Sequence, residues 1–296
     1  MLSNKSCEAF LSVAETGSFE EAALKLCLTA SAVTLRVQSL EKELGQILLL
    51  RERPCRVTAS GQKLLQYLQH QRLQEQSLLQ QLSGQSSQHH FHQFSVGTNA
   101  DALATWLLKV MQPTLIQHRI SLKLSVDDQT QTHQLMEAGL VNACISTESS
   151  AMKGCEVHHL GSMTYRMVAT PDFVSRWFKT GIHRESLRQA PAIIFNEKDL
   201  MHDQAILKRF GLNQAQYPHY YIPSSTAFLE AIQLGLGFGL APDYQTQQDL
   251  KTGQLIEIMP EAQTQMALYW HHWKQQSPLL DQLTQTLLTQ ALCAMN

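Results

Sequence analysis

Residues 18–45 limit the possible fold most, because they read as two helices with only a short turn between them. Ser18 and Glu21 have the spacing of a capping box, which begins a helix. Thr29 can cap the second helix, and Gly45 is placed to end it. The pattern predicts a helix-turn-helix, although on spacing alone an ordinary helical hairpin with a solvated face fits equally well.

The charge of the chain is balanced overall but uneven along the sequence. The formal net charge is −2, which excludes a protein that coats nucleic acid over its whole surface. Between Arg51 and Arg72, five basic residues stand against a single acidic residue, Glu52. A face that binds a polyanion must therefore be local, and this segment is the best candidate.

A leucine-rich helix is predicted from Thr58 to Leu82. Its apolar seam consists of Leu64, Leu65, Leu68, Leu73, Leu78, Leu79 and Leu82. The helix could pack on its own domain, but its glutamine-rich remainder and the linker that follows favour a dimerising helix. Two copies of the chain would then read two half-sites related by a twofold axis.

The segment Ser83–His92 is small, polar and aperiodic, which is typical of an interdomain linker. Three histidines in it could bind a metal ion: His89, His90 and His92. No partnering cysteine or carboxylate pattern follows them, so we interpret them as solvated. The sequence predicts no metal site.

Beyond residue 92 the chain alternates between strand-like and helical segments. Regular alternation in residues 120–126 predicts a strand, and residues 131–138 predict a helix that Gly139 ends. The other predicted strands are 94–96, 143–145, 165–169, 192–195, 219–222 and 237–241. This order predicts an α/β domain with two small, open, mostly parallel sheets, in which ligands bind at the carboxyl ends of the strands.

Two strand–helix junctions carry side-chain oxygens where a helix begins. They are Val96–Asn99 and Pro223–Thr226, and plain helix capping explains both without a ligand. Four acidic residues also fall near strand ends: Asp101, Asp127, Asp128 and Glu148. Helix N-termini and carboxylates together suit a zwitterion, because amides would bind its carboxylate and acidic side chains its cationic groups.

An enzyme is the least supported class of function. Cys144 could act as a nucleophile with His158 or His159 as its base. Cys144 lies in an apolar, strand-like run, however, which is typical of a core cysteine. Nothing resembles a nucleophile elbow or a phosphate-binding loop. We therefore expect no catalytic residues and no cofactor.

The sequence shows no sign of export or of membrane insertion. Lys5 is followed by an amphipathic pattern rather than by the apolar run of a signal peptide, and no apolar run approaches the length of a membrane span. The six cysteines are scattered without a CxxC pair, which is typical of reduced thiols. We expect a cytoplasmic protein with no membrane partner.

The N-terminal segment as a whole resembles the winged helix-turn-helix of LysR-type transcriptional regulators. The matching residues are Phe10, Ala14, Gly17–Phe19, Ala22–Ala23, Leu26, Thr29, Ser31–Val33, Arg36–Val37, Leu40–Glu41, Leu44–Gly45, Leu48–Arg51, Arg53–Pro54, Thr58 and Gly61. The resemblance implies that the second helix of the motif enters the major groove of DNA. It also implies that Arg51–Val57 forms a wing beside the phosphates and that the helix from Thr58 makes the dimer.

The resemblance further implies a set of DNA contacts. They are Ser18, Thr29, Ser31, Thr34, Leu35, Arg36 and Gln38 around the second helix, with Arg51, Arg53 and Arg56 on phosphates. Family members often carry glutamine where this chain has Ala30 and Leu35. Fewer amide side chains should alter base readout and leave the phosphate contacts in place.

The C-terminal part is similar to the ArgP/LysG branch of the same family. The most specific matches are the runs Asn99–Leu108 and Leu268–His271. The resemblance implies a regulator that senses lysine or arginine and controls genes of amino-acid transport or metabolism. Members of this branch are also described as inhibitors of replication initiation, so binding to origin DNA is an alternative.

The resemblance implies an effector site between two Rossmann-like lobes of the kind found in periplasmic binding proteins. Its expected contacts are Thr98, Asn99, Asp101, Asp128, Thr147, Phe195, Ser224 and Ser225. The implied ligand is a small-molecule effector, L-lysine or L-arginine. Asn196 and Leu200 stand where relatives can carry aspartate, so the preference between basic amino acids can differ in this chain.

The expected domain plan follows from this resemblance. It has a winged helix-turn-helix over 1–58, a dimerisation helix over 59–82, a hinge over 83–92, one effector lobe over 93–163 and 266–296, and a second over 164–265. The expected partners are double-stranded DNA, further copies of the chain in a homodimer or homotetramer, and RNA polymerase. A solute-binding protein without DNA function would explain the C-terminal two thirds but not the N-terminal helices.

Overall fold

The computed structural model describes residues 2–83, 91–127, 132–137, 139–274 and 276–295. These residues form an N-terminal helical domain, a long connecting helix and a C-terminal α/β domain. Within these ranges, no helix is both long enough and apolar enough to cross a membrane.

The N-terminal domain combines helices with a short hairpin. The elements are α1 Asn4–Thr16, α2 Phe19–Lys25, α3 Ala30–Leu44, β1 Leu49–Leu50, β2 Arg56–Val57 and α4 Ala59–Ser83. Phe10, Val33 and Leu40 are fully buried in its core. Helices α2 and α3 are the predicted helix-turn-helix, and the antiparallel hairpin β1–β2 stands where the wing was expected.

The long helix α4 begins on the N-terminal domain. Leu64, Leu65 and Leu68 are buried in the core of that domain. The prediction that they form part of a dimer seam is therefore wrong, because these three side chains pack within their own chain. The other leucines of the seam have side chains outside the described residues and remain predicted dimer contacts: Leu73, Leu78, Leu79 and Leu82.

The C-terminal domain alternates strands and helices as expected. Its strands are β3 His92–Thr98, β4 Ile120–Val126, β5 Ala143–Ser146, β6 Cys155–Ala169, β7 Ala192–Ile194, β8 His219–Tyr221, β9 Gly239–Pro242, β10 Ile256–Glu257 and β11 Thr264–Trp273. Its helices are α5 Ala100–Thr105, α6 Leu107–Gln117, α7 Thr132–Glu137, α8 Pro171–Trp177, α9 Arg184–Leu187, α10 Leu200–Phe210, α11 Ser225–Gln233, α12 Asp243–Thr252 and α13 Pro278–Met295.

The sheets are not mostly parallel, which corrects the prediction. Strand β3 pairs in parallel with β4 and β5, and β7 pairs in parallel with β8. The long strands β6 and β11 are antiparallel to each other, and β9 and β10 add to β6 in antiparallel fashion. Only residues 165–169 of β6 were expected, because histidines and Gly161 interrupt the apolar alternation of its first half.

The two long strands connect two lobes. At one end β11 pairs with β5, next to β3 and β4. At the other end β6 pairs with β9 and β10, next to the small sheet of β7 and β8. The expected lobe boundaries, at residues 163/164 and 265/266, fall within β6 and β11.

The predicted linker is shorter than expected at both ends. Ser83 is the last residue of α4, and His92 is the first residue of β3. His89 and His90 lie outside the described residues.

Helix α4 also contacts the first lobe. The side-chain amides of Gln62 and Gln66 donate to the carbonyl oxygen of Glu137 at 3.0 and 2.7 Å. Gly139 follows with a φ of +61°, and a Cβ there would lie 2.3 Å from Oε1 of Gln69. The positive φ of residue 139 favours glycine, because other residues rarely adopt this backbone conformation.

Candidate functional site

The predicted capping residues Ser18 and Thr29 accept hydrogen bonds from the first turns of α2 and α3. Oγ of Ser18 accepts from the amide of Glu21 at 3.3 Å, and Oγ1 of Thr29 accepts from the amide of Ala32 at 3.2 Å. The reciprocal half of the capping box does not form, because the Ser18 amide donates to Oγ1 of Thr16 instead. Both caps fix where α2 and α3 begin.

The outward face of α3 carries most of the predicted base contacts. Three of them are exposed: Ser31, Leu35 and Gln38. Arg36 is half-buried, and the hydroxyl of Thr34 donates to the carbonyl oxygen of Ala30 at 2.8 Å. The face is therefore polar and basic, with the side chain of Leu35 as its apolar member.

The hairpin presents three arginines to solvent: Arg51, Arg53 and Arg56. The Arg51 guanidinium lies 5.8 Å from the centre of the Phe19 ring, and Arg56 forms an exposed ion pair with Glu52 at 3.8 Å. Exposed ion pairs of this kind contribute little to stability. The three guanidinium groups can therefore turn to phosphates at small cost.

Glu41 fastens the hairpin to helix α3. Its Oε1 accepts from the amides of Leu48 and Leu49 at 2.8 and 3.3 Å. Directly before β2, the amide of Cys55 donates to the carbonyl oxygen of Gly17 at 2.8 Å. These bonds tie the hairpin to α3 through Glu41 and to the turn between α1 and α2 through Gly17.

A second candidate site is an open cleft between the two lobes. Its lining comes from both lobes and from β6: Asn99, Ala100, Asp101, Asp127, Tyr165, Phe195, Asp199, Met201, Ser225, Phe228, Leu240 and Pro242. Helices α5 and α11 both begin at this cleft. None of these lining residues is a lysine or an arginine.

Asp101 reaches the cleft from the first turn of α5. Its Oδ2 accepts from the hydroxyl of Tyr165 at 2.7 Å. Burial raises the pKa of the Asp101 carboxyl above its ordinary value, and hydrogen bonds from Ser225 and Tyr165 partly oppose that rise. A cation in the cleft would stabilise the ionised carboxylate further.

Asp199 lies in the second lobe, at the start of α10. Its Oδ1 accepts from the amides of Met201 and His202 at 3.1 and 3.4 Å, and its Oδ2 from the amide of Phe195 at 3.4 Å. Burial raises the pKa of the Asp199 carboxyl, these amides oppose the rise, and the negative charge of Asp101 adds to it. The cleft thus holds two partly desolvated carboxylates that repel each other.

Four of the predicted effector contacts line the cleft: Asn99, Asp101, Phe195 and Ser225. Two others do not. Thr98 is fully buried behind it, with its hydroxyl donating to the Asn99 carbonyl, and Ser224 is exposed and caps α11 through the Ala227 amide. Thr147 follows β5 and is also not among the lining residues. Asp128 lies outside the described residues.

The sequence did not point to Asp199 or Tyr165 as site residues. Asp199 could have been found, because it follows a predicted strand and precedes a helix, as Asn99 does. Tyr165 had no such signal, since it lies inside a strand. The positions singled out for a change of preference lie off the cleft: Asn196 accepts from the Lys198 amide, and Leu200 is 63% exposed.

Cys144 is a core residue and not a nucleophile. It is fully buried in β5, and burial raises the pKa of its thiol to about 12. Its Sγ lies 4.0 Å from Sδ of Met136. A thiol in this environment does not supply the thiolate that nucleophilic catalysis needs.

Comparisons with known proteins span both domains. A family model described as "Bacterial regulatory helix-turn-helix protein, lysR family" matches residues 5–62, and one described as "LysR substrate binding domain" matches residues 87–292. The "HTH-type transcriptional regulator ArgP" of Photobacterium profundum is 38% identical over 279 residues, which are 94% of this chain and 93% of that relative.

Two solved structures are similar over their full length. ArgP from Mycobacterium tuberculosis matches with a TM-score of 0.82 and 30% identity, over 98% of each chain. Full-length LysG from Corynebacterium glutamicum, solved with bound effector Arg, matches with a TM-score of 0.76 and 30% identity, over 97% of each chain.

Proposed function

Because this chain belongs to the LysR family of bacterial transcriptional regulators, we propose that it binds DNA as an oligomer and responds to a basic amino acid. Membership rests on two family models and on a relative named as a transcriptional regulator. It makes the chain a regulator, which sets aside the enzyme and the solute-binding protein as alternatives.

The single observation that supports a cationic effector is that the carboxylates of Asp101 and Asp199 line the same cleft. Both carboxylates line the cleft, burial raises the pKa of both, and no lysine or arginine is among the lining residues. A cationic ligand offsets the repulsion between them and their loss of hydration. The Arg-bound LysG structure supports the same class of ligand.

The N-terminus of α11 is proposed to bind the α-carboxylate of the amino acid. Helix α11 is 9 residues long, and Ser225, at its first position, lines the cleft. Amides at a helix N-terminus favour a carboxylate. The proposed pose places the α-carboxylate near Ser225 and the side-chain cation between Asp101 and Asp199.

The DNA interface of the proposal consists of α3 and the wing. Ser31, Arg36 and Gln38 would lie against base edges or phosphates in the major groove, and Arg51, Arg53 and Arg56 along the backbone. Glu41 holds these two elements at a fixed spacing. The leucines of α4 beyond residue 72 are proposed to pair two chains, so that two wings and two α3 helices contact one operator.

The effector acts in this proposal by shifting a conformational equilibrium. Asp101 and Asp199 belong to different lobes, so a ligand that binds both favours the closed arrangement. The contact of Gln62 and Gln66 with the end of α7 then links that arrangement to the DNA-binding domain. An amino acid that bound the open and closed arrangements equally well would change nothing.

The effector can be tested by isothermal titration of the full-length protein with four matched compounds. L-Arginine and L-lysine are expected to bind. L-Citrulline has the shape of arginine without its charge, and agmatine lacks the carboxylate, so both should bind more weakly by at least roughly tenfold. Equal affinity for arginine and citrulline would contradict the role given to the two aspartates.

The DNA function can be tested by sequencing fragments that the purified protein selects from random DNA, with and without arginine. We expect an enriched sequence with twofold symmetry, and a change in its enrichment or half-site spacing when arginine is present. Selection of no common sequence under either condition would contradict the proposed operator binding. An unchanged selection would contradict the proposed coupling.

A further inference from the structure

A cluster of three side chains that can bind metal ions lies on strands β6 and β11. Glu156, His158 and His272 bring one carboxylate oxygen and two imidazole Nε2 atoms within 4.8 Å of one another. None of the three lines the cleft. We propose that these three side chains bind a Zn²⁺-type divalent transition-metal ion, with a water molecule as the fourth ligand.

The pairing of the two strands explains why these residues meet. Glu156 lies directly opposite His272 in the antiparallel register of β6 and β11. His158 follows Glu156 by two positions, which places it on the same face of the sheet. Sequence analysis could not bring these residues together, because His158 and His272 are 114 residues apart.

The distances suit a shared metal ion. Nε2 of His158 lies 3.1 Å from Nε2 of His272, and two nitrogens on a tetrahedral zinc ion at its usual bond length are about 3.3 Å apart. Oε2 of Glu156 lies 3.6 Å from Nε2 of His158 and 3.9 Å from Nε2 of His272. Small side-chain rotations would bring all three atoms to bonding distance.

The ring orientations agree with this arrangement. The two imidazole planes are within 5° of parallel and their centres are 5.2 Å apart. Since their Nε2 atoms are much closer than their centres, the rings meet edge to edge through those nitrogens and do not stack face to face. Both Nε2 atoms therefore face the same small space beside Oε2 of Glu156.

His272 also has the supporting contact that metal-bound histidines usually have. Its Nδ1 lies 2.9 Å from the carbonyl oxygen of Trp273. A carbonyl can only accept, so Nδ1 carries the proton and Nε2 keeps its lone pair for the ion. His272 is nearly buried, whereas the side chains of His158 and Glu156 are 35% and 48% exposed, which leaves a path for the ion.

Two imidazoles and one carboxylate are borderline ligands that favour Zn²⁺ over Ca²⁺ or Mg²⁺. The competing account is a plain hydrogen bond, in which Nε2–H of His158 donates to Nε2 of His272. That account predicts no metal affinity, so binding measurements separate the two.

The experiment uses the untagged full-length protein, stripped of metal with a chelator. Co²⁺ serves as a visible probe for a zinc site, and its absorption is followed during titration near neutral pH. We expect one Co²⁺ per chain and its displacement by Zn²⁺. His158→Gln and Glu156→Gln should each weaken binding at least about tenfold.

His159→Gln is the matched control, because the neighbouring His159 is exposed and lies beside Tyr269 rather than His272. This variant should bind Co²⁺ like the unaltered protein. Metal affinity that is the same in all four proteins, or no binding at millimolar Co²⁺, overturns the proposal. Far-UV circular dichroism in the presence of chelator checks that the variants are folded. We expect them to fold because the side chains of Glu156 and His158 are partly exposed.

Discussion

Asp101 and Asp199 line one cleft from opposite lobes, and the charge of Asp101 raises the pKa of Asp199. Burial raises the pKa of both carboxyl groups as well. The ionised forms of both carboxyl groups are therefore disfavoured in the protein without ligand, and the proposed cationic effector would stabilise them. Carboxyl groups whose pKa values are raised in this way are typical of a binding site.

The first prediction is that the affinity for arginine decreases as the pH is lowered. The two aspartates attract the ligand when ionised, and their raised pKa values mean that they take up protons at higher pH than an ordinary aspartate. Affinity is then complete above those raised values and is lost as the pH falls through them. Titration calorimetry at a series of pH values, from neutral pH down to the lowest at which the protein stays folded, would show this loss.

Replacement of Asp199 by asparagine provides the check on that first prediction. In Asp199→Asn one of the two titrating groups is gone, so the remaining affinity should depend less on pH. An affinity that stays constant until ordinary aspartates protonate, in both proteins, would show that neither carboxylate holds the ligand.

The second prediction concerns the stability of Asp199→Asn without ligand. A carboxyl group whose pKa is raised on folding destabilises the native state once the pH rises through that pKa. Asparagine removes the charge and keeps an oxygen that can accept from the Met201 and His202 amides. We expect thermal unfolding at neutral pH to show a gain of about 1 kcal/mol, together with weaker arginine binding.

Asp281→Asn serves as the control for this trade-off, because Asp281 is exposed in the first turn of α13. It should change neither arginine binding nor its pH dependence. A loss of stability in Asp199→Asn at neutral pH would contradict this prediction. It would show that the lost hydrogen bonds of the helix cap outweigh the gain from removing a buried negative charge.

The N-terminal domain was predictable because its signals are local. Ser18 and Thr29 cap helices within three residues of themselves, and Gly45 ends α3 in the left-handed conformation as expected. The effector cleft was only half predictable, because its residues come from segments far apart in the chain. Asn99 and Asp101 follow a visible strand, whereas Tyr165 is brought there by the long strand β6.

The pairing of β6 with β11 also explains why the proposed metal site of Glu156, His158 and His272 could not be predicted from the sequence. Periodicity indicates which face of a strand a residue occupies but not which strand lies beside it. Glu156 and His272 become neighbours only through the register of two segments more than 100 residues apart. The same register places β5 and β9 at opposite ends of the pair and so separates the two lobes.

The third prediction is that Glu41→Ala loosens the wing. The variant loses a carboxylate that accepts from two backbone amides, of Leu48 and Leu49. Hydrogen bonds to charged groups contribute about 1.5–3 kcal/mol, so we expect a loss of about 2 kcal/mol in the free energy of unfolding. Chemical denaturation of the full-length protein measures it, and DNA affinity should fall as well.

Glu43→Ala is the matched control for the wing, since Glu43 is exposed on the same helix and is two positions away. A surface change of that kind is expected to stay within about 0.5 kcal/mol. Equal effects of the two variants would show that Glu41 acts only as one more surface charge.

The fourth prediction concerns phosphate contacts by the wing. Arg53→Ala removes an exposed guanidinium from the hairpin, and each phosphate contact contributes about 0.9 to the slope of log affinity against log salt concentration. We expect weaker binding to all DNA sequences and a slope reduced by about 1. Arg188→Ala, at an exposed position directly after α9, is the control. A slope that Arg53→Ala leaves unchanged would place phosphate contacts elsewhere.

The fifth prediction separates base readout from phosphate contact at Leu35. Its side chain is 65% exposed on α3, and the family resemblance leads us to expect a glutamine there. An exposed residue at this position can be exchanged with little effect on stability. Leu35→Gln adds an amide that can pair with an adenine edge in the major groove.

We therefore expect Leu35→Gln to change which DNA sequences the protein selects while its salt slope stays the same, since no charge is added. Sequencing of selected fragments measures the preference, and titrations at several salt concentrations measure the slope. A preference unchanged by Leu35→Gln, with DNA binding intact, would show that this part of α3 does not face the bases. A changed slope with an unchanged preference would instead place residue 35 beside the backbone.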